Sequence, residues 1–490
     1  MDLSSAIHNA ERPKLSIVDK IDEDERSITD LGDALLGLIL SYLPTKDAVK
    51  TSVLAKIWQH QWMSISNLEF REEAQDDRAL FVNFVERVLL LRESSAITKF
   101  FLECGVRYDS SRISSWVSTA VKHKVQELDL RFWEIREPLV LPCCVFTCKS
   151  LLQLKIGQLN EIYDLRVPSS VCFSSLKILT LRRVRFPDDY SAKTLLSGCP
   201  VLEELNLIGC CWDNVKAVCI SGSRLKNLTI KEMCIKNIGI CYRHNVDTEF
   251  VICGVKLEYF CYSGSLNHDY CFSRSSSAVN VSIESELRDW ILHHRAFKLL
   301  MGLSYTKSLH VCLCVLVQVL SVSREMFSRL PVFSHLTNLT THWSIWFYND
   351  LGSREGLVAI LHNSPCLESL QLEGEYFDSS YAHEGYEWNL DPVPACFSTH
   401  LKTIEISMIY GYKEELYGIK MFLKYATVLK KMTISFDPVG FLAPHLLKRK
   451  LEIFERILSF PKGSTSCIIE THFPAITEVR TSDDDMGYME

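Results

Sequence analysis

A hexapeptide pattern, L-x-x-L-x-L, recurs along this chain at a nearly fixed interval. It reads VQELDL at 125–130, LLQLKI at 151–156, LKILTL at 176–181, LEELNL at 202–207 and LKNLTI at 225–230. The central leucines, Leu128, Leu154, Leu179, Leu205 and Leu228, are separated by 26, 25, 26 and 23 residues. Looser copies are LEYFCY (257–262), LTNLTT (336–341), LESLQL (367–372), LKTIEI (401–406) and LKKMTI (429–434). A β-strand sends alternate side chains to opposite faces. L-x-L therefore puts two leucines on one side and leaves the residues between them on the other. One such unit cannot bury its apolar face alone, but stacked copies can. The pattern predicts a solenoid in which each copy gives one short strand and a helical or irregular return.

The interval and the motif are those of leucine-rich repeats. Helical segments precede several copies, as in AKTLLSGCPVLEELNL and REGLVAILHNSPCLESLQL. Cys210, in LEELNLIGC, falls at the Asn/Cys slot of the repeat, which gives that thiol a structural reason. Residues alternating with the leucines stand on the other face and are candidate contacts for a bound protein. They are Glu127, Asp129 and Arg131; Gln153 and Lys155; Thr180 and Arg182; Glu204 and Asn206; and Asn227, Thr229 and Lys231. In linear order their charges are mixed.

The repeats do not begin at the start of the chain. Residues 1–26 are polar, end in the charge cluster DKIDEDER and read as a flexible arm. A short apolar-rich region follows. Leu35, Leu36, Ile39, Leu40 and Leu43 fall at helical spacing, and Pro44 ends that helix. Thr45 is positioned to cap a second helix carrying Val49 and Val53. A third short helix is expected to carry Ile57, Trp58 and Trp62. This region holds more apolar surface than so small a unit can hide. Farther on, Phe81, Phe84, Val85, Val88 and Leu89 mark an amphipathic helix within 76–92. Ile113, Trp116, Val117, Ala120 and Val121 mark another.

Other function classes find little support. Net charge is −7, spread along the 490 residues, which predicts neither a nucleic-acid partner nor an anionic membrane surface. The most apolar run, HVCLCVLVQVL (310–320), is about half the length a bilayer needs. The opening residues, MDLSSAIHNAERPKL, lack a basic n-region and an apolar h-region, so residence in the cytoplasm or nucleus is expected. Of the 19 cysteines, neither Cys143, Cys144 and Cys148 nor Cys312 and Cys314 have zinc spacing. His293-His294 lacks a third ligand at a recognisable distance. The sequence thus names no metal, cofactor or catalytic residue. The phosphate-loop, dinucleotide, G-x-S-x-G and H-E-x-x-H patterns are absent from it. The aromatic cluster THWSIWFYND (341–350), with Trp343, Trp346, Phe347 and Tyr348, reads as repeat core in preference to a ligand pocket.

The stretch ERSITDLGDALLGLILSYLPTKDAVKTSVLAKIWQHQW resembles the F-box of the large plant F-box/leucine-rich-repeat family. PVPACFSTHLKTIEI, the helix EELYGIKMFLKYATVLKKMTI and EIFERILSFPKGSTSCIIE resemble the FBD domain that often closes those chains. The resemblance covers nearly the whole chain. It implies an F-box at 27–66, leucine-rich repeats at 67–390, an FBD domain at 391–470 and an acidic tail at 471–490. The fold class is then α/β: a small helical F-box, a solenoid with a curved, mainly parallel sheet and helices on its outer face, and an α+β cap.

The resemblance also implies a role without chemistry of its own. F-box proteins are substrate receptors of cullin-RING (SCF) ubiquitin ligases and dock on a Skp-type adaptor, while the repeats hold the target protein. By motif match the adaptor-facing residues are Leu31, Leu35, Leu36, Ile39, Leu40, Leu43, Pro44, Val53, Leu54 and Trp58. Trp62 is expected to pack the F-box against the first repeat. The chain departs from the family pattern at Gly32, where proline is usual, at Ile57, where a cation is usual, and at Gln61. A repeat-based binding or scaffold protein with a weakened F-box therefore stays open as the alternative. A receptor whose target site is completed by a small molecule stays open as a third reading.

Overall fold

A computed structural model describes residues 33–472 apart from 74, 76, 93–95, 108, 136–138, 160–161, 233–247, 255, 274–278, 286–292, 313–314, 316–329, 343–350, 375–389 and 437–443. The chain divides into two compact units, residues 1–65 and 66–490.

In the first unit, α1 (Asp33–Ser41) and α2 (Thr45–Lys50) are followed by 3₁₀ turns at Thr51–Val53, Lys56–Trp58 and Gln61–Ser64. The helix α1 packs on the last of these turns. Pro44, and not Thr45, stands at the N-cap of α2. Its carbonyl accepts from the amides of Asp47 and Ala48, both at 2.9 Å. Proline suits a position whose own N–H would go unused, and Thr45 is free to be buried in the first turn. The expected third helix is broken into separate turns. Thr51 Oγ1 donates to the Ala48 carbonyl at 2.7 Å and Ser52 Oγ to that of Val49 at 2.6 Å. Such back-bonding competes with the helical ladder. Ala55 is then fully extended.

The second unit is built on one 15-stranded sheet in which every neighbouring pair is parallel and strands follow one another in chain order. All ten copies of the sequence motif form strands of it. Leu128, Leu154, Leu179, Leu205 and Leu228 stand directly opposite one another in register. The same column runs on through Phe260, Val281, Leu309, Leu339, Leu370, Ile404 and Met432. These side chains are buried. Burying one leucine contributes about 2 kcal/mol, so the column is a principal source of the unit's stability.

Five strands of the large sheet lie outside the ten copies: Asn67–Arg71, Lys99–Gly105, Asn280–Glu284, Ser308–Val311 and Ile468–His472. The last one reaches two residues into the expected acidic tail, pairing Thr471 with Ile434 and His472 with Ser435. Residues 1–32 and 473–490 are outside the described residues.

The returns are of two kinds. Helices Arg78–Leu91, Ser110–Lys122 and Asp189–Ser197 serve the early repeats, and His293–Gly302, Leu351–His362, Lys413–Tyr425 and Pro444–Leu458 the late ones. In the middle the returns are strands. Ala217–Ser221, Glu249–Cys253 and Asp269–Phe272 form a second parallel sheet. The reason is local: AVCIS and EFVIC are rich in β-branched and aromatic residues, and burial alternates along them, hiding Val218, Ile220, Phe250 and Ile252. Aromatic rings fill the space between the layers, with Phe186 stacked on Trp212 at 4.6 Å and Phe250 on Tyr270 at 5.0 Å.

Two buried carboxylates tie irregular segments to this frame. Glu232 accepts from the amides of Ser265 and Asn267 and from Tyr270 Oη at 2.8 Å. Gly264 lies beside it with φ +153, and a Cβ there would approach Glu232 Cβ to 2.5 Å. Glu415 accepts from the amides of Gly411 and Tyr412 at the start of helix Lys413–Tyr425, where an anion satisfies otherwise unpaired N–H groups.

Candidate functional site

The helix α1 is apolar nearly all round, DALLGLILS, and the structure resolves which side faces water. Leu36 and Leu40 are buried, at 0% and 1% exposed. Leu35, Leu38, Ile39 and Tyr42 lie at i, i+3, i+4 and i+7 and form an exposed apolar stripe, with Leu35 at 51% and Tyr42 at 82%. Leu43 and Pro44 extend it, and Val53 and Leu54, from the neighbouring 3₁₀ turn, are also exposed.

This corrects part of the sequence expectation. Leu36, Leu40 and Trp58 present almost no surface and serve as core beneath the exposed residues. Leu38 and Tyr42 were not expected on the face, because the spacing in so apolar a helix allows several faces. Leu31 and Gly32 lie outside the described residues. Ile57 is half-buried, and Trp62 is buried.

The second candidate surface is the face of the large sheet opposite the leucine column. Its side chains are half-buried or exposed. Register sorts the expected residues into rows that linear order hides. Glu127, Gln153, Ile178, Glu204 and Asn227 form one row, and Asp129, Lys155, Thr180, Asn206 and Thr229 the next. The third row is Arg131, Gly157, Arg182, Ile208 and Lys231. Three cations thus alternate with uncharged residues along one border, about 10 Å apart at the strand spacing. Two acids, Glu127 and Glu204, mark the opposite border.

Several of these side chains are already held in place. Glu127 pairs with Lys99 at 2.9 Å, and Arg131 with Asp129 at 3.2 Å. Asn206 Nδ2 donates to Thr180 Oγ1 at 3.1 Å and to Glu204 Oε1 at 2.8 Å. Sequence reasoning missed Phe101, which stands on this face between two guanidiniums. Arg71 and Arg131 lie 4.8 and 5.0 Å from its ring centroid, and Glu103 lies within 3.5 Å of one and 3.9 Å of the other. The alternation of ITKFFLEC held the signal: Phe101 is out of step with the buried Phe100 and Leu102.

Several thiols are set among the packed side chains. Burial pushes Cys104, Cys199, Cys210 and Cys396 up to about 12. Cys210 Sγ points at the Leu181 carbonyl of the preceding repeat at 3.5 Å, as its place in the repeat requires. The aromatic cluster Trp343, Trp346, Phe347 and Tyr348 lies outside the described residues. Among those residues, no helix is long and apolar enough to cross a membrane.

A small helical unit with an outward apolar stripe, joined to a parallel leucine-rich-repeat solenoid, defines a modular protein-binding chain. Residues 113–251 match the family model described as "FBD-associated F-box protein At5g56370, LRR repeats", and residues 389–434 match the FBD model. The F-box/LRR-repeat protein At3g59210 of Arabidopsis thaliana is 32% identical over 375 residues, 71% of this chain and 73% of that protein. The FBD-associated F-box protein At1g66310 of the same plant is 29% identical over 91% of this chain and 96% of its own length. The F-box/FBD/LRR-repeat protein At5g56420 is 28% identical over 90% and 97%. The chain belongs to the F-box/LRR-repeat family, in the branch that closes with an FBD domain.

Proposed function

We propose that this chain is the substrate-recognition subunit of an SCF-type ubiquitin ligase, working in the cytoplasm or nucleus. The stripe Leu35, Leu38, Ile39 and Tyr42, with Leu43, Pro44, Val53 and Leu54, docks a Skp-type adaptor, which joins the chain to cullin and RING subunits. The open face of the repeats holds a protein target. The chain itself does no chemistry. It raises the effective concentration of target lysines at a charged ubiquitin carrier. Family membership and the exposed stripe support this reading, and the stripe carries it: an apolar surface left in water within a folded unit marks a docking site. The row Arg131, Arg182 and Lys231 favours a target whose surface is acidic at that border.

Co-purification of the full chain with a Skp-type adaptor tests the reading. Leu35→Asp with Val53→Asp is expected to abolish capture while leaving the circular dichroism spectrum unchanged. Capture as strong as that of the unaltered chain would sink it. The repeat-based scaffold is favoured by Ile57, where the family has a cation, and predicts that even the unaltered chain captures no adaptor.

A further inference from the structure

We propose that the late repeats hold a Zn²⁺-class cation between His310, His342 and Glu373. The three side chains come from three successive strands, Ser308–Val311, Asn338–His342 and Ser369–Glu373. They stand on the same open face as Phe101 and Lys155, but far along the sheet from them. His342 and Glu373 are direct partners in register. His310 is opposite Thr340, so it reaches His342 diagonally.

The donor atoms converge. His310 Nε2 and His342 Nε2 are 3.4 Å apart, His310 Nε2 and Glu373 Oε2 are 4.0 Å apart, and all three donors lie within 4.8 Å of one another. Zinc bonds of 2.0 to 2.2 Å in a tetrahedron set donor atoms about 3.3 Å apart. The histidine pair already has that separation. The carboxylate needs to close by about one ångström, which a side chain one-third exposed can do. Gln371 supplies the outer support that metal carboxylates commonly have: its Nε2 donates to Glu373 Oε1 at 3.2 Å, which leaves Oε2 turned to the histidines.

Two imidazole nitrogens and one carboxylate oxygen select Zn²⁺ over Mg²⁺ or Ca²⁺, which take oxygen donors. Three protein ligands leave a fourth position for water or for a donor brought by a bound molecule. The solenoid explains why linear spacing gives no hint. His310 and His342 are 32 residues apart, and Glu373 follows 31 later, so each ligand is one turn from the last.

The test is Zn²⁺ titration of the full chain after chelator treatment, by calorimetry, with Mg²⁺ as control. One equivalent of Zn²⁺ is expected to bind, with no response to Mg²⁺. The double variant H310A/H342A is expected to lose at least 100-fold in affinity, and Q371A about 10-fold, within the range for supporting residues. Because these side chains are partly exposed, the variants are expected to keep the circular dichroism spectrum. Co²⁺ separates this site from the exposed cysteines Cys143, Cys172 and Cys219. Nitrogen and oxygen ligation gives visible bands without the near-ultraviolet thiolate transition. Equal Zn²⁺ affinity in the unaltered chain and H310A/H342A, or a purely thiolate Co²⁺ spectrum, would overturn the proposal. The result stands apart from adaptor capture, which depends on other residues.

Discussion

Leu35 and Leu179 are the same residue in the same chain, yet one is half in water and the other has no exposure at all. Leu35 belongs to a unit whose described residues form two short helices and three turns around a core of Leu36, Leu40, Ala48, Trp58 and Trp62. Among the described residues of the unit, Leu38, Ile39 and Tyr42 share its exposure. Leu179 belongs to a stack in which each new repeat covers the last, so nearly every leucine of the column is hidden. Apolar side chains reach water in both units, Leu90 and Ile468 among those of the solenoid, but in the small unit they gather along one side of α1. Exposure there is what the proposed docking uses, and burial marks structure in the solenoid.

The comparison can be broken most forcefully at the buried positions. Leu179→Ala is expected to destabilise the repeat unit by about 3 kcal/mol, read as a lower denaturation midpoint. Leu36→Ala in the small unit should act in the same way, through folding, and lower adaptor capture only as folded protein is lost. Next in size is Glu232→Ala, which strands two backbone amides and the Tyr270 hydroxyl and is expected to cost about 2 kcal/mol.

Glu232→Gln sharpens that result through pH. Burial pushes the Glu232 carboxyl up, so the folded state binds its proton more tightly than the unfolded state. Its contribution favours low pH, is fully present below the ordinary carboxylate range and is lost as pH rises through the raised value. The glutamine variant should flatten that part of a stability-against-pH curve.

At the exposed positions stability should barely move. Leu35→Asp is expected to change it by no more than about 0.5 kcal/mol, while adaptor capture falls at least tenfold. A loss of stability as large as that of Leu36→Ala would erase the distinction between the two sides of α1. Phe101→Ala is expected to leave adaptor capture unchanged and to act on stability alone. Its two cation–π contacts, at a partly exposed site, are worth about 0.5 to 1 kcal/mol each, and thermal melting should register a shift of a few degrees at most.

The solenoid was legible in the sequence because two periods coincide: period two inside each motif and 23 to 26 between the first five motifs. Either alone would have been ambiguous. Strands Asn280–Glu284 and Ser308–Val311 escaped notice since Val281 and Ile283, or Leu309 and Val311, fill the buried slots without the flanking leucine. The outward side of α1 escaped for the opposite reason: an excess of apolar residues leaves the period with no polar face to read. The basic row of Arg131, Arg182 and Lys231 depends on register, and so does the meeting of His310, His342 and Glu373. Register is a property of neighbouring turns, not of any local stretch.

Each strand of the large sheet is hydrogen-bonded to the members of that sheet that come next before and after it in chain order. Under a pulling load such an array opens like a zip: the terminal strand peels away, then its neighbour, and the remaining stack keeps its register. Rupture of one repeat leaves the hydrogen bonds of distant repeats unloaded, so a partner seated on the early strands would stay bound while the far end comes apart.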